Sequence, residues 1–168
     1  MKLEQYGETN EGRPLLLAYV ASADNFSKLE EIRKNNLRLA GVLTDKAGDV
    51  NTPAIVWLSY NVHGNETSSS EVSMKVLYEL LNPGNAPTKE YLKNVVVIID
   101  PCINPDGRDR YVHWQAQMSG KTVNPDPIAR EHNEPWPGGR SNHYNFDLNS
   151  DWAWQTQIET QQRIQRLP

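Results

Sequence analysis

Residues 54–66 read AIVWLSYNVHGNE and indicate the fold class of the chain. From Ala54 to Tyr60, apolar residues occupy both alternate positions, which is typical of a strand covered on both faces in an α/β sheet. His63 and Glu66 follow directly after this run. We therefore expect both side chains to lie at the carboxyl end of a buried strand.

Two further apolar runs predict strands. Val95 to Ile99 is an uninterrupted β-branched run that is long enough only for a second buried strand. It leads into the polar segment DPCINPDG at residues 100–107. An earlier run, Leu15 to Val20, follows the Gly and Pro of EGRP and predicts another strand. Two buried strands are thus expected to deliver polar residues at their carboxyl ends.

Helical spacing of apolar residues appears in three places. Each of the following segments predicts a helix: residues 25–39, residues 70–81 and residues 152–167. Residues 115–144 are rich in Pro, Gly and Asn and have no period, so we expect a long ordered loop within one domain. Residues 104–107 and the pair Gly138-Gly139 predict turns. The five tryptophans are expected to be packing anchors.

The composition limits the classes of protein to which the chain can belong. At 168 residues, of which 38% are hydrophobic, it is long enough for one domain with a sizeable core. The net charge is -4 and no run of Lys or Arg forms a basic stripe, which argues against a nucleic-acid partner. Cys102 is the only cysteine, so neither an internal disulfide nor a thiolate zinc cluster can form. Its neighbours predict a buried structural thiol.

The sequence gives little information on localisation. No apolar run approaches the length needed to cross a bilayer, so no membrane span is expected. The first residues, MKLEQY, lack the apolar segment of a signal peptide. The localisation is therefore unknown from these residues, and it would be periplasmic or secreted if an upstream signal peptide was lost.

His63 and Glu66 form the clearest candidate for chemistry, and we call them the ligand pair. Residues three apart share a face in a helical turn, so this imidazole and this carboxylate can converge on one point. Zinc binds imidazole nitrogen and carboxylate oxygen, and a catalytic zinc uses three protein ligands and a water. The ligand pair would supply two of the three. In the alternative interpretation, Glu66 caps the following helix and His63 is an ordinary loop residue.

Four motifs occur in an order that resembles the metallocarboxypeptidase family typified by pancreatic carboxypeptidase A. They are YG and EGRP within residues 6–14, NVHGNE at 61–66, NPDG at 104–107 and FDLN at 146–149. The resemblance implies an α/β fold with a mixed, largely buried sheet flanked by helices. It covers nearly the whole chain but only about the first half of such a domain. Residues 1–168 are therefore expected to be the N-terminal portion of one truncated catalytic domain of the zinc carboxypeptidase type.

The resemblance also implies roles for individual residues. His63 and Glu66 match zinc ligands, and Asp147 matches the acidic residue that hydrogen-bonds the first zinc histidine and fixes its tautomer. Asn149 matches an asparagine that binds the C-terminal carboxylate of the substrate. Ser150 stands where the family has an arginine that holds this carboxylate through two hydrogen bonds. A serine hydroxyl cannot replace that guanidinium.

Another arginine of the family polarises the scissile carbonyl and stabilises the oxyanion. The candidates in this sequence are Arg108 and Arg110, which follow the NPDG motif, ahead of Arg130 and Arg140. Spacing alone does not align any of them with the family residue.

The resemblance places two further elements beyond Pro168. These are the third zinc ligand, a histidine, and the glutamate that acts as general base. The other histidines of the chain lie in predicted loops without a matching motif, and they are weaker candidates for the third ligand: His113, His132 and His143. Without a positioned base, the reaction lacks a proton transfer that raises its rate roughly 10²- to 10⁴-fold. A catalytically competent monomer of this chain is therefore not expected.

Three hypotheses on function remain. In the favoured one, the chain belongs to a zinc metallocarboxypeptidase in which zinc-activated water hydrolyses the last bond of a peptide with a free C-terminal carboxylate. The second is a zinc deacylase of the aspartoacylase or succinylglutamate desuccinylase type, which uses a similar ligand pair. The third is a non-catalytic fragment or pseudoenzyme, which Ser150 would suit. A truncated sheet with an unpaired edge also predicts self-association.

Overall fold

The computed structural model describes residues 1–166 of the chain, which form four β-strands and seven α-helices. The strands are β1 (Lys2–Glu8), β2 (Pro14–Val20), β3 (Ala54–Ser59) and β4 (Val95–Asp100). The helices are α1 (Ala23–Phe26), α2 (Leu29–Leu39), α3 (Ser68–Leu81), α4 (Ala86–Tyr91), α5 (Pro105–Met118), α6 (Asp151–Trp154) and α7 (Ile158–Ile164). A short 3-10 turn, Arg130–His132, lies in the long loop after α5.

The strands form one mixed sheet in the order β1-β2-β4-β3. β1 pairs with β2 and β2 pairs with β4 in antiparallel fashion, whereas β3 and β4 run parallel. The predicted α/β fold with a mixed sheet is confirmed. In the parallel pair, Ala54 lies opposite Val95 and Ser59 lies opposite Asp100. Both strands therefore end at the same edge of the sheet, and the segments that follow them lie side by side.

β4 lies in the interior of the sheet and carries much of the core. All four residues from Val96 to Ile99 are buried. On one face, Val97 and Ile99 pack against apolar side chains of α3, and on the other face Ile98 packs against Tyr6 and β2. Burial on both faces is what the uninterrupted β-branched run predicts.

β3 differs from the prediction of a strand covered on both faces. Its residues are exposed or half-buried, and Val56 is 39% exposed. Within residues 1–166, β3 is an edge strand with β4 as its one neighbour. An apolar pattern indicates which side chains favour burial but not how many strands lie beside them. The prediction was therefore right in position and wrong in burial.

Two of the predicted helices are each divided into two. The segment 25–39 contains the end of α1 and all of α2, because the main chain leaves the helical conformation at Lys28, with φ of -120° and ψ of 16°. The segment 152–167 forms α6 and α7, with Gln155 in the left-handed conformation at a φ of 55° between them. Leu167, the last residue of that predicted helix, lies outside the described residues.

α5 is the longest element that the sequence analysis did not predict. The NPDG motif starts this helix rather than forming a turn, since the Asn104 side chain accepts a hydrogen bond from the Gly107 N–H at 2.9 Å. Pro105 occupies the first position of the helix, where its missing N–H costs nothing. α5 continues to Met118, so the loop expected from residue 115 begins inside a helix.

Other features also depart from the sequence analysis. β1 was not predicted because its apolar residues are few, and the strand is defined by its pairing with β2. Trp136 and Trp154 are 85% and 75% exposed, so the expectation of packing anchors is wrong for these two residues. Among residues 1–166, no helix is both long enough and apolar enough to span a membrane.

Candidate metal centre

The loop between β3 and α3 is closed by the buried side chain of Asn61. Its amide donates to the carbonyl oxygens of His63 at 2.7 Å and Glu66 at 3.2 Å. Its Oδ1 accepts hydrogen bonds from the Ser70 hydroxyl at 2.8 Å and the Cys102 thiol at 3.3 Å. Burial raises the pKa of that thiol to about 11, so it stays protonated. Asn61 thus fixes the main chain that carries the ligand pair.

Three glycines allow this loop to approach α5 and the loop before Asp147. A Cβ atom on Gly64 would overlap main-chain atoms of Gly107, Arg108 and Gly139. A Cβ on Gly107 would likewise overlap the Gly139 carbonyl oxygen. Only glycine permits main-chain segments to meet this closely. The three segments that build the site are therefore in direct backbone contact.

The imidazole of His63 has a carboxylate at each of its nitrogens. Nδ1 lies 2.8 Å from Oε1 of Glu66, and Nε2 lies 3.0 Å from Oδ1 of Asp147. Because an ionised carboxylate only accepts hydrogen bonds, the contact with Asp147 requires a proton on Nε2. In a neutral ring, the lone pair of Nδ1 then faces the lone pairs of Glu66. A proton or a metal ion between these atoms removes the repulsion, and this donor set fits zinc.

Asp147 is held as an anion. Its Oδ1 also accepts the Asn149 N–H at 2.9 Å, and its Oδ2 accepts a hydrogen bond from the Arg140 guanidinium at 3.1 Å. Partial burial acts to raise the pKa of Asp147, but the hydrogen bonds from Asn149 and His63 outweigh it and hold the pKa below its usual value. The ionised carboxylate keeps Nδ1 of His63 directed towards Glu66.

Asn149 and Ser150 lie beside this carboxylate. Both residues are exposed, and Asn149 contacts Asp147 through its main-chain N–H. Ser150 immediately precedes α6 and does not cap it with its side chain. The two residues predicted to bind the substrate are therefore at the surface next to Asp147.

The four candidate arginines differ in what they contact. Arg108 pairs with a carboxylate of α3 at 3.0 Å. Arg110 donates to two main-chain carbonyls of the loop before Asp147, at 2.7 and 3.0 Å. Arg130 lies against the sulfur of the last residue of α5. Arg140 is the one of the four that contacts Asp147, and its side chain is 56% exposed.

The other histidines make contacts away from the ligand pair. His113 and His132 each contact a main-chain carbonyl, at 2.9 and 2.6 Å. Nδ1 of His143 lies 2.9 Å from Oε1 of Glu11. Among the contacts of residues 1–166, none joins these three histidines to the ligand pair.

His143 belongs instead to a second group of ligand-type side chains, with Glu11 and Asp106. Their ligand atoms lie within 4.8 Å of one another. The Arg13 guanidinium lies 2.8 Å from Asp106 and also pairs with Glu11. This guanidinium already supplies the positive charge that a metal ion would provide. The group is therefore an ion-paired contact between the β1–β2 turn and the start of α5.

Together, the fold and the ligand pair define an α/β domain in which the loop after β3 carries a histidine and a carboxylate of the types that bind zinc, at the edge of the sheet where the parallel strands β3 and β4 both end. The sequence model described as Zinc carboxypeptidase matches residues 1–166. The chain belongs to this zinc carboxypeptidase family. Among curated proteins, none matches the chain significantly.

Solved structures share the fold. The chain superposes on a metallo-carboxypeptidase from Burkholderia cenocepacia with a TM-score of 0.58 at 15% sequence identity. A protein described as a carboxypeptidase A, from Shewanella denitrificans, gives a TM-score of 0.57 at 20% identity. The superpositions cover 98% of this chain but only 32% and 31% of the two relatives. The chain thus spans about a third of the length of these proteins.

Proposed function

We propose that this chain supplies the ligand pair and the supporting carboxylate of a zinc metallocarboxypeptidase, which hydrolyses the C-terminal peptide bond of its substrate. The observation that carries the proposal is the position of the His63 ring between Glu66 and Asp147, at 2.8 and 3.0 Å. Zinc bound by the ligand pair would act as a Lewis acid and lower the pKa of a bound water to about 7. The family match favours this peptidase over the zinc deacylase.

Two residues near the ligand pair have proposed roles in positioning and charge stabilisation. Asp147 keeps the proton on Nε2 of His63 and so keeps Nδ1 available as the ligand atom. Arg140, which is exposed and bonded to Asp147, is the proposed group that polarises the substrate carbonyl. Arg108 and Arg110 bond to their own chain, which makes them weaker candidates for this role.

The proposed substrate is a peptide with a free C-terminal carboxylate, which the exposed Asn149 would bind. Ser150 offers one hydroxyl group, without the positive charge and the paired donors of an arginine. We therefore propose that carboxylate recognition at this position is weaker than in relatives that have an arginine there.

The third zinc ligand and the general base are proposed to come from the part of the domain that this chain does not match. Within residues 1–166, the group of three ligand-type side chains that converges excludes the ligand pair. Two protein ligands hold zinc less firmly than three. Peptide hydrolysis is accordingly proposed for the complete domain, and zinc binding of modest affinity for this chain.

Calorimetric titration of the chain with zinc tests the proposal. His63→Ala and Glu66→Ala are each expected to weaken one-to-one binding by more than about tenfold. His113→Ala, at a side chain that is 70% exposed, is the matched control. His143→Ala tests the group with Glu11 as a rival site. Zinc binding that survives His63→Ala, or that is lost in His143→Ala, would overturn the proposal.

A further inference from the structure

Asn142 closes the turn that leads to Asp147. It is fully buried, and its main-chain N–H donates to the Phe146 carbonyl at 3.0 Å. Its side-chain Oδ1 accepts the N–H groups of Tyr144 at 3.1 Å and Phe146 at 3.0 Å. One asparagine therefore sets the course of the chain up to the residue before Asp147.

The amide nitrogen of Asn142 connects this turn to the end of the described chain. It donates to Oε1 of Gln157 at 2.9 Å and to Oε2 of Glu159 at 3.3 Å. Arg110 adds a hydrogen bond to the main-chain carbonyl of Asn142 at 3.0 Å. Asn142 is thus held from α5 on one side, and from α7 and the preceding residue Gln157 on the other.

α7 is itself anchored to the sheet. Nε of Arg163 lies 2.9 Å from Oδ2 of Asp100, and both side chains are fully buried. Asp151, at the start of α6, accepts the N–H of Gln157 at 3.0 Å and donates its own N–H to the Asp147 carbonyl at 3.2 Å. A continuous set of contacts therefore runs from β4 through α7 and Asn142 to Asp147.

We infer that Asn142 is a positioning residue for the zinc site: it places Asp147 against Nε2 of His63, and it does so only while Glu159 and Gln157 hold its amide. The inference rests on the proposed function of the ligand pair. It makes the docking of α7, which lies far from the ligand pair in sequence, a requirement for the correct orientation of the His63 ring.

A reciprocal exchange of hydrogen-bonding groups tests this role. Asn142→Asp keeps the oxygen that accepts the turn N–H groups, but it sets a second carboxylate against Glu159. Adding Glu159→Gln places an amide donor at position 159 opposite the new carboxylate acceptor at position 142. The hydrogen bond is thereby restored with donor and acceptor exchanged. Asn145→Asp is the matched control, since it adds the same charge to the same turn at an exposed residue.

Two readouts are measured on wild type, the two single variants, the double variant and the control. The first is zinc affinity by calorimetry, in which Asn142→Asp is expected to weaken binding about tenfold. The double variant is expected to recover most of that loss, which is non-additive behaviour. The second is the NMR signal of the Nε2 proton of His63 without metal, expected to be lost in Asn142→Asp and regained in the double variant.

The outcomes separate this inference from the proposed function. If wild type fails to bind zinc through the ligand pair, the proposed function is wrong, and the Nε2 proton signal still decides the role of Asn142. An unchanged Nε2 signal in Asn142→Asp overturns the inference. The inference is also overturned if the double variant binds zinc no more tightly than the sum of the two single changes predicts. It is likewise overturned if Asn145→Asp weakens zinc binding as much as Asn142→Asp does.

Discussion

Nε2 of His63 lies 3.0 Å from Oδ1 of Asp147, although 84 residues separate the two in the sequence. A proton on Nε2 that is donated to Asp147 leaves Nδ1 as the ring nitrogen that can bind a metal. His63 follows β3, whereas Asp147 lies in a loop that α5 and α7 hold in place. The contact between His63 and Asp147 consequently depends on the docking of α5 and α7 against the loop before Asp147.

Asp147→Asn is expected to weaken zinc binding by about 10- to 100-fold, because the variant keeps the shape but loses the charge that orients His63. Calorimetric titration measures the change. Asp126→Asn is the control, since Asp126 also accepts a main-chain N–H within its own loop, from Ile128 at 3.0 Å. Equal zinc affinity in Asp147→Asn and wild type would contradict the orienting role.

Gly64→Ala is expected to lower the free energy of unfolding by about 1–3 kcal/mol, because its Cβ meets main-chain atoms that cannot rotate away. Urea denaturation without zinc measures the loss. In Gly120→Ala, the added Cβ comes no closer than 3.4 Å to a neighbouring atom, so this variant should retain the wild-type value within about 1 kcal/mol. Similar values for the two variants would refute the proposed close packing.

The free energy of unfolding is expected to fall as the pH rises above about 4.3, which is the pKa of a glutamate side chain in the unfolded state. Burial, and to a lesser extent the negative charge of Asp106, raise the pKa of Glu159 despite opposing contributions from Asn142 and Arg163. The folded state therefore holds the proton more tightly than the unfolded state, and the stability from that proton is lost as pH rises through the folded pKa. Burial also raises the pKa of Asp100, which acts in the same direction.

Glu159→Gln should reduce the dependence of the unfolding free energy on pH above about 4.3. Urea denaturation at several pH values measures this dependence. Asp151 acts in a separate range: its hydrogen bonds from Thr156 outweigh burial and lower its pKa. The contribution of ionised Asp151 to the free energy of unfolding is therefore lost only as the pH falls below about 3.9. An identical slope above about pH 4.3 in Glu159→Gln and wild type would show that Glu159 is not the responsible group.

We also propose that the chain self-associates through the edge of β3. Val56 on this strand is 39% exposed, and an apolar edge strand with free main-chain groups favours pairing with another copy. Sedimentation velocity is expected to show concentration-dependent association that Val56→Lys reduces. Val50→Lys makes the same exchange at a loop residue that is 81% exposed and should leave association unchanged. Monomeric sedimentation at all concentrations would refute the proposal.

Part of the candidate site could be predicted because it depends on local spacing. The ligand pair is recognisable since three residues separate an imidazole from a carboxylate directly after an apolar run. The choice among arginines could not be made in this way. Arg108 and Arg110 follow the NPDG motif in sequence, yet α5 directs them to α3 and to the loop. Arg140, which does not directly follow that motif, contacts Asp147.

The roles of Asn61 and Asn142 are not predictable from the sequence pattern. Asparagine is common in turns, so neither residue differs in sequence from a solvated turn residue. Both are buried, and each satisfies its amide with groups from several segments. Only their positions in the sequence indicate a role, because Asn61 lies shortly before His63 and Asn142 lies shortly before Asp147.

The α/β class, the buried strand β4, the candidate ligand pair and the family could all be inferred from the residues alone, because apolar periodicity and motif spacing are properties of neighbouring residues. The folded structure was needed to show that β3 lies at an edge, that Arg140 rather than Arg108 contacts Asp147, and that α7 bonds to Asn142. Such contacts depend on how segments dock rather than on the spacing of neighbouring residues, and the parallel register of β3 and β4 brings together the loops that follow the two strands.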